Sequence, residues 1–343
     1  VRILALQLKR IGDLALTTPA LRALKASAPD ARVTLVVRGA AAGLLPALTP
    51  WVDEGLVWGA GRNGAILRRL ARGGFDWCVD FTGRDRSAFL TLVSHAPRRL
   101  VARSALRGSA WRRLCYNRFA ETPVRGPHTI DFYLGHASVM PGARGLAPEA
   151  HEGPVLDLPQ VAVQAGRAAL EGVGIGVGEP FIAVHPGTAR AEKYWLPERW
   201  AEVIAFCQES LGIRCVLTGG RGDADEEAHL ARIRACLPRP CADLAGKLDL
   251  LALTAVFAQA QAVAGVDSGP MHLAAAVRRP QLVLFGPTNP RHWRPRHAGC
   301  LVLRAGHGDE PLREFPERTP GAPMDAISTR AVIECITQLA RGA

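Results

Sequence analysis

Two series of short apolar or β-branched runs, each followed by a stretch of helical spacing, constrain this chain more than any other feature. In the first half VRILALQL reads as a strand, TTPALRALKASAP as a helix ended by its last proline, and ARVTLVVR and FDWCVDF as further strands. In the second half FIAVHPG, IRCVLTGG, QAVAGVDSG and PQLVLFGPT read as strands. Between them PERWAEVIAFCQESLG, closed by Gly212, DLLALTAVFAQA and PMHLAAAV read as helices. Such alternation calls for parallel sheets whose two faces are covered by crossover helices. The predicted fold class is therefore α/β, with two Rossmann-like domains, and 343 residues suffice for two cores. Periodic patterning gives way to Pro, Gly and short polar runs between Pro141 and Pro159. This places a first domain over 1–155, a second over 156–325, and a C-terminal helix over 326–343. That helix, with Ser328 or Thr329 as its cap, is expected to pack back toward the first domain.

Composition narrows the class of partner. The 48% apolar content is enough to fold, and 21% charged residues argue against extended disorder. The eight cysteines form no C-x-x-C pair, and Cys236 and Cys241 have no second pair or histidine beside them, so reduced thiols in a cytosolic protein are expected and a zinc site is not. No run approaches the about 18 apolar residues of a membrane span, and the first residues enter a strand without a signal-peptide layout. The net charge of +11 is lopsided: residues 1–160 hold 22 Lys and Arg against 12 Asp and Glu, whereas 161–343 hold 20 against 19. Arg86, Arg98, Arg99, Arg103, Arg107, Arg112, Arg113 and Arg118 follow one another with no acid between Arg86 and Ala120. Such a surface suits a phosphate-bearing partner, against the plainer alternative of a solvated arginine-rich face. Aromatic interleaving is limited to Trp111, Tyr116 and Phe119, which argues against nucleic acid.

In open α/β sheets ligands bind beyond the carboxyl ends of the strands, so the segments that follow strands carry the chemistry. GVDSGPMHLAAAV (265–277) ends a strand and opens a helix: Ser268 is placed to cap, Pro270 suits the first turn, and Gly269 lets an anion approach free N–H groups. An ordinary capped helix and a pyrophosphate site are equally compatible with that spacing, and His272 faces either the ligand or the core. HPGTARAEKYWLPERW (185–200) supplies Thr188 and Lys193, a hydroxyl and a mobile charge suited to phosphate oxygens; a loop with one solvated lysine is the plainer reading. TGGRGDADEEAHL (218–230) sets acids either to chelate ribose hydroxyls or to favour a helix dipole. Asp13, in LKRIGDLALTTPAL, either starts a helix or serves as a catalyst. The run GVGIGVGEP (172–180) lacks the third glycine and the preceding strand of a dinucleotide loop.

LKRIGDLALTTPAL, AVHPGTARAEKYW, LTGG, LAGKLDLLALTAVFAQAQAVAGVDSGPMHLAAAV and LFGPTNPRHW, in that order, resemble glycosyltransferase family 9, the ADP-heptose:lipopolysaccharide heptosyltransferases of the inner core. The resemblance runs from residue 1 to about residue 295. It implies a GT-B fold, two Rossmann-like domains facing across a cleft, with the acceptor on the first and the nucleotide sugar on the second. It implies that Thr188 and Lys193 meet donor phosphate and sugar, that Asp267, Ser268, Gly269 and His272 hold the pyrophosphate–heptose region, that Leu248 packs on adenine and that Glu227, or Glu226 beside it, binds ribose. Some members carry a hydroxyl residue where this chain has Gly187, which implies one phosphate contact fewer. Asp13 matches the family's catalytic base, and Arg10, Arg62, Arg98, Arg99 and Arg103 are the basic candidates for the acceptor.

The implied reaction is glycosyl transfer with inversion, needing one carboxylate because the pyrophosphate leaves as a stabilised anion. Lys193, Thr188 and helix N–H groups would meet its charge, so no metal and no cofactor beyond the donor ADP-heptose is expected. The implied partners are the nucleotide sugar and phosphorylated lipid A or core oligosaccharide, with peripheral contact at the cytoplasmic face of the inner membrane. The alternatives are a member that moves another sugar or uses a protein or outer-core acceptor, and a non-enzymatic basic protein that binds anionic glycan.

Overall fold

The computed structural model of the chain describes residues 1–107, 109–140, 142, 153–318 and 320–342. The chain divides into two compact units, Val1–Asp157 and Leu158–Ala343. Most of the 141–159 segment in which the boundary was expected lies outside the described residues.

The first unit runs β1 (Arg2–Gln7), α1 (Ile11–Ser27), β2 (Arg32–Arg38), a 3-10 segment (Gly39–Leu48), β3 (Glu54–Trp58), α2 (Asn63–Ala71), β4 (Trp77–Asp80), α3 (Asp85–Val93), β5 (Arg98–Ala102), α4 (Arg112–Cys115), β6 (Arg118–Ala120) and α5 (Thr129–Ala137). Its six strands pair in parallel in the order β3-β2-β1-β4-β5-β6. The central strand β1 is apolar from Ile3 to Leu6 because helices cover both its faces, and Leu4, Leu6, Val36, Leu70, Phe75 and Leu90 form one cluster of its core.

The second unit runs α6 (Gln160–Gly172), β7 (Phe181–His185), a 3-10 turn (Ala191–Lys193), α7 (Pro197–Glu209), β8 (Arg214–Leu217), α8 (Ala224–Cys236), β9 (Ala242–Asp243), α9 (Leu250–Gln259), β10 (Ala262–Val266), α10 (Gly269–Ala276), β11 (Gln281–Phe285), α11 (Pro290–Trp293), β12 (Cys300–Arg304) and α12 (Thr329–Arg341). Its parallel order, β12-β11-β10-β7-β8-β9, is the order of the first sheet read from the other end. Both sheets therefore have the Rossmann arrangement, with the strand order reversing between β1 and β4 in one and between β7 and β10 in the other.

The first helix begins at Ile11, six residues before the TTPAL run, and so takes Asp13 into its first turn, in agreement with the helix-starting reading of that residue; Pro19 lies inside it. The carbonyl of Ala15, which Pro19 cannot bond, accepts the Thr18 hydroxyl at 2.7 Å instead. The C-terminal helix α12 belongs to the second unit. Its apolar stripe of Val332, Cys335, Ile336 and Leu339 is taken up by Val203 and Ile204 of α7 and by Leu282 and Leu303 of the sheet. Ser328 is its cap, accepting the Ala331 N–H at 3.1 Å.

Candidate active site

Because every strand of the first sheet points the same way, the segments after β1, β3, β4, β5 and β6 emerge at one edge. Asp13 stands there. Its helix is capped by no side chain, Arg10 occupying the N-cap position in extended geometry. Its carboxylate is turned to a different element: Oδ1 accepts the hydroxyl of Tyr133 on α5 at 2.8 Å. Lys9 Nζ lies 3.9 Å from the same oxygen and 3.3 Å from the Tyr133 oxygen, and 5.4 Å above that ring. Oδ2 makes no hydrogen bond among the described residues. The backbone beneath is tied as well, since Gln7 Nε2 donates to Thr17 Oγ1, which donates to the Asp13 carbonyl, both at 2.7 Å.

The electrostatics follow from burial. Tyr133 is 1% exposed, its ring edge-on to Phe81 at 5.8 Å. Burial, and next the Asp13 carboxylate, raise its phenol well above the usual value, so it stays a proton donor. Burial lowers the Lys9 ammonium, opposed by Asp13 and Asp80 and reinforced by Arg84. Asp80, the last residue of β4, is fully buried and accepts Tyr116 Oη at 2.6 Å and the N–H groups of Thr82 and Gly83 at 2.8 and 3.1 Å. Burial raises this carboxyl, and those hydrogen bonds oppose the shift. Tyr133 and Asp80 carry no motif of their own; a tyrosine on a helix and an acid closing a strand become informative only when the fold brings Tyr133 to Asp13 and the charge of Asp80 within reach of Lys9.

The sheet direction separates the five arginines. Arg10 and Arg62, the latter at the N-cap position of α2 without a side-chain cap bond, are exposed at the Asp13 edge. Arg98 and Arg99 open β5 and so lie at the opposite edge. Arg98 stacks over Trp77 at 5.4 Å, and Arg99 donates to the carbonyls of Cys115 and Ala96 at 2.7 and 3.0 Å. Arg103 returns to the Asp13 edge, but its Nε is bound to both oxygens of Glu121 at 2.7 and 2.8 Å and its guanidinium lies 4.6 Å from the Phe119 ring centroid. It lines a pocket of about 1000 Å³ with Arg107, Arg113, Arg125, Leu106 and Val124.

In the second unit the strand-end segments after β7, β10 and β11 converge. Lys193 Nζ contacts Asp267 Oδ2 at 2.5 Å, and the Thr288 hydroxyl donates to the same oxygen at 2.6 Å. The ion pair is largely buried, with side chains 11% and 8% exposed. Thr188 is buried on the segment after β7, and His272 is buried within α10, one turn past Ser268. Ser268 holds the N-cap position of α10 without a side-chain cap bond, and its buried Oγ has no hydrogen-bond partner among the described residues. The capping expectation is thus corrected: the hydroxyl is available at the helix N-terminus.

The acid loop resolves residue by residue. Asp223 caps α8, accepting from Asp225 and Glu226 N–H groups at 3.1 Å. Glu227 is exposed and ties its own loop, accepting Gly222 N–H at 2.8 Å. Glu226 is the acid that turns to the strand ends: it accepts Gly220 N–H at 2.6 Å, and a Cβ on Gly187 would overlap its Oε1. Burial raises its carboxyl, opposed by the Gly220 hydrogen bond. The glycine at 187 therefore makes room for Glu226. Leu248 is half-buried on the segment leading into α9. Among the described residues no three His, Cys, Asp or Glu side chains group as a metal site, and no helix is long and apolar enough to cross a membrane.

Solved structures share this architecture along the whole chain. The structure of E. coli ADP-heptose lps heptosyltransferase II covers 100% of this chain and 99% of its own, with TM-score 0.79 and 22% identity. That of E. coli heptosyltransferase WaaC with ADP-2-deoxy-2-fluoro heptose covers 98% and 99%, with TM-score 0.70 and 22% identity. The fold is that of the GT-B glycosyltransferases. Lipopolysaccharide heptosyltransferase 3 of Escherichia coli is 27% identical over 319 residues, 90% of this chain and 88% of its own. The family model of glycosyltransferase family 9 (heptosyltransferase) matches residues 64–319, and the chain belongs to that family.

Proposed function

We propose that the protein moves a heptose from ADP-heptose to the Kdo/heptose inner core of lipopolysaccharide, with inversion and without a divalent metal. The first unit takes the phosphorylated acceptor, the second the nucleotide sugar, and the protein works at the cytoplasmic face of the inner membrane. The observation that carries this reading is Asp13: a carboxylate at the strand-end edge, with one oxygen held by a buried tyrosine and the other left for a substrate proton. The acceptor hydroxyl attacks the anomeric carbon from the face opposite ADP. Its proton passes to Asp13 Oδ2 as the carbon–oxygen bond to the pyrophosphate breaks, and the electron pair leaves with ADP. The developing charge is met by Lys193, the free Ser268 hydroxyl and the N-terminus of α10.

Lys193 is paired with Asp267, whose Oδ2 also accepts the Thr288 hydroxyl, so the ammonium is held at the strand ends where a pyrophosphate would share it. Thr188 adds a hydroxyl, Gly269 lets the anion reach the backbone, and Asp267 with His272 faces the sugar. Leu248 packs on the base. Ribose falls to Glu226, which lies against Gly187 at the strand ends, in preference to Glu227, which is exposed on the loop. Of the arginines, Arg10, Arg62 and Arg103 share Asp13's edge and suit the acceptor; Arg98 and Arg99 do not. Calorimetry against a panel of nucleotides and nucleotide sugars tests the reading. Selective binding of ADP-heptose is expected, and a protein that binds no nucleotide would overturn it.

A further inference from the structure

Nine large apolar side chains are exposed among the described residues, and five of them, Phe89, Leu92, Trp111, Leu114 and Val124, fall within one stretch of the first unit. The other four are scattered along the chain, so the five are not the ordinary residue of a globular surface. They also come together in space. Arg86, Phe89 and Leu92 repeat every third residue of α3 and form one stripe. Trp111 Nε1 donates to Asp85 Oδ1 at 3.2 Å, which fastens the start of α4 to the start of that stripe. Leu114, 78% exposed, follows Trp111 by one turn. Arg113 and Val124 line the same pocket, which joins the segment after β6 to this face.

The charge around these side chains has one sign. The two acids that flank the stretch are already neutralised, Asp85 by Arg112 at 3.1 Å and Glu121 by Arg103 at 2.6 Å. Arg86, Arg107, Arg113 and Arg125 make no ion pair among the described residues. From this juxtaposition we infer that the first unit docks on an anionic bilayer through α3, α4 and the segment after β6. Apolar side chains would enter the headgroup boundary while the guanidinium groups meet lipid phosphates. A free phosphorylated glycan would use the arginines and leave Phe89, Leu92 and Leu114 without a purpose, and aliphatic side chains offer nothing for bases to stack on. The arginine pocket and the start of α3 lie at the strand-end edge that also carries Asp13, so docking would present a lipid-linked acceptor at the edge where its hydroxyl is needed. That last consequence rests on the proposed function; the docking face does not.

Sedimentation with vesicles tests it. The full chain should sediment with phosphatidylcholine vesicles containing phosphatidylglycerol, not with phosphatidylcholine alone, and added salt should release it. Phe89→Glu with Leu114→Glu, and separately Arg86→Glu with Arg113→Glu, should each weaken binding about tenfold or more while thermal melting stays unchanged. Wild-type protein that ignores anionic vesicles, or variants that bind as it does, would overturn the inference. So would wild-type self-association without vesicles that Leu114→Glu abolishes, since a second copy would then be the occupant. In transfer assays the Phe89→Glu, Leu114→Glu protein should keep its rate on a deacylated soluble acceptor and lose it on acceptor embedded in vesicles. If the wild type transfers heptose to neither, the proposed function fails and the vesicle result stands on its own.

Discussion

The two units repeat one strand order, and each sets a lysine against an aspartate where that order reverses, yet the pairs are built differently. In the first unit Lys9 and Asp13 both follow β1 and share a third partner, Tyr133, reached from α5. In the second, Lys193 follows β7 while Asp267 follows β10, so the pair bridges the two strands that flank the reversal. Asp80, which ends β4 as Asp267 follows β10, is sealed by backbone N–H groups and Tyr116. The comparison teaches that the topology supplies only the place. A buried phenol makes one edge a positioned carboxylate with a single open oxygen. At the other edge stand a hydroxyl unpartnered among the described residues, glycines and a lysine paired with its own neighbour, the features on which the proposed donor seat rests.

That contrast can be broken by substitution. Asp13→Asn should lower kcat by about 10²–10⁴-fold while donor affinity holds, because only the proton acceptor is lost; turnover near wild type would remove Asp13 from the chemistry. Lys193→Ala should do the reverse, weakening nucleotide-sugar binding by about 10–100-fold in calorimetry. An unchanged Kd would show that the ion pair only holds the loops. Tyr133→Phe keeps the packed ring and deletes the hydroxyl; kcat should fall about tenfold at unchanged KM, with about 1 kcal/mol of stability lost. A stability loss with normal kcat would leave Tyr133 a packing residue.

Smaller effects sharpen the second unit. Glu226→Ala should raise the donor Kd about tenfold and Glu227→Ala should leave it within about twofold; equal effects would undo the assignment drawn from the Gly187 cradle. Acid acts on both units alike. Burial pushes His136 in the first and His185 in the second down to about 4 from the ordinary 6.5. As pH falls through that window the unfolded chain takes up protons the native imidazoles refuse. Each histidine then costs about 1.4 kcal/mol of stability per pH unit. Melting temperature should drop between pH 7 and pH 5, and by less in His136→Gln; a flat profile would mean these imidazoles are not held neutral.

Much of this was legible locally. Each strand expected of the second half is present, as are the loops that follow them, because a strand buried on both faces must be continuously apolar and a parallel sheet must put its polar loops at one edge. Apolar spacing marks only the body of α1 from TTPAL onward, since Ile11, Gly12 and Asp13 hold no helical periodicity of their own, although Asp13 admits a helix start there; α1 packs against α5. Local pattern also grouped Arg98, Arg99 and Arg103 by proximity along the chain, whereas a strand carries its two ends to opposite edges. What the sequence by itself determined is the class: two Rossmann sheets, their strand-end loops, and a family whose motifs sit on those loops. Only the tertiary structure decided which side chains meet. The Tyr133 hydroxyl reaches Asp13 across 120 residues and Lys193 reaches Asp267 across 74. Contacts at such separations follow from how helices lie on a sheet, and no local spacing encodes them.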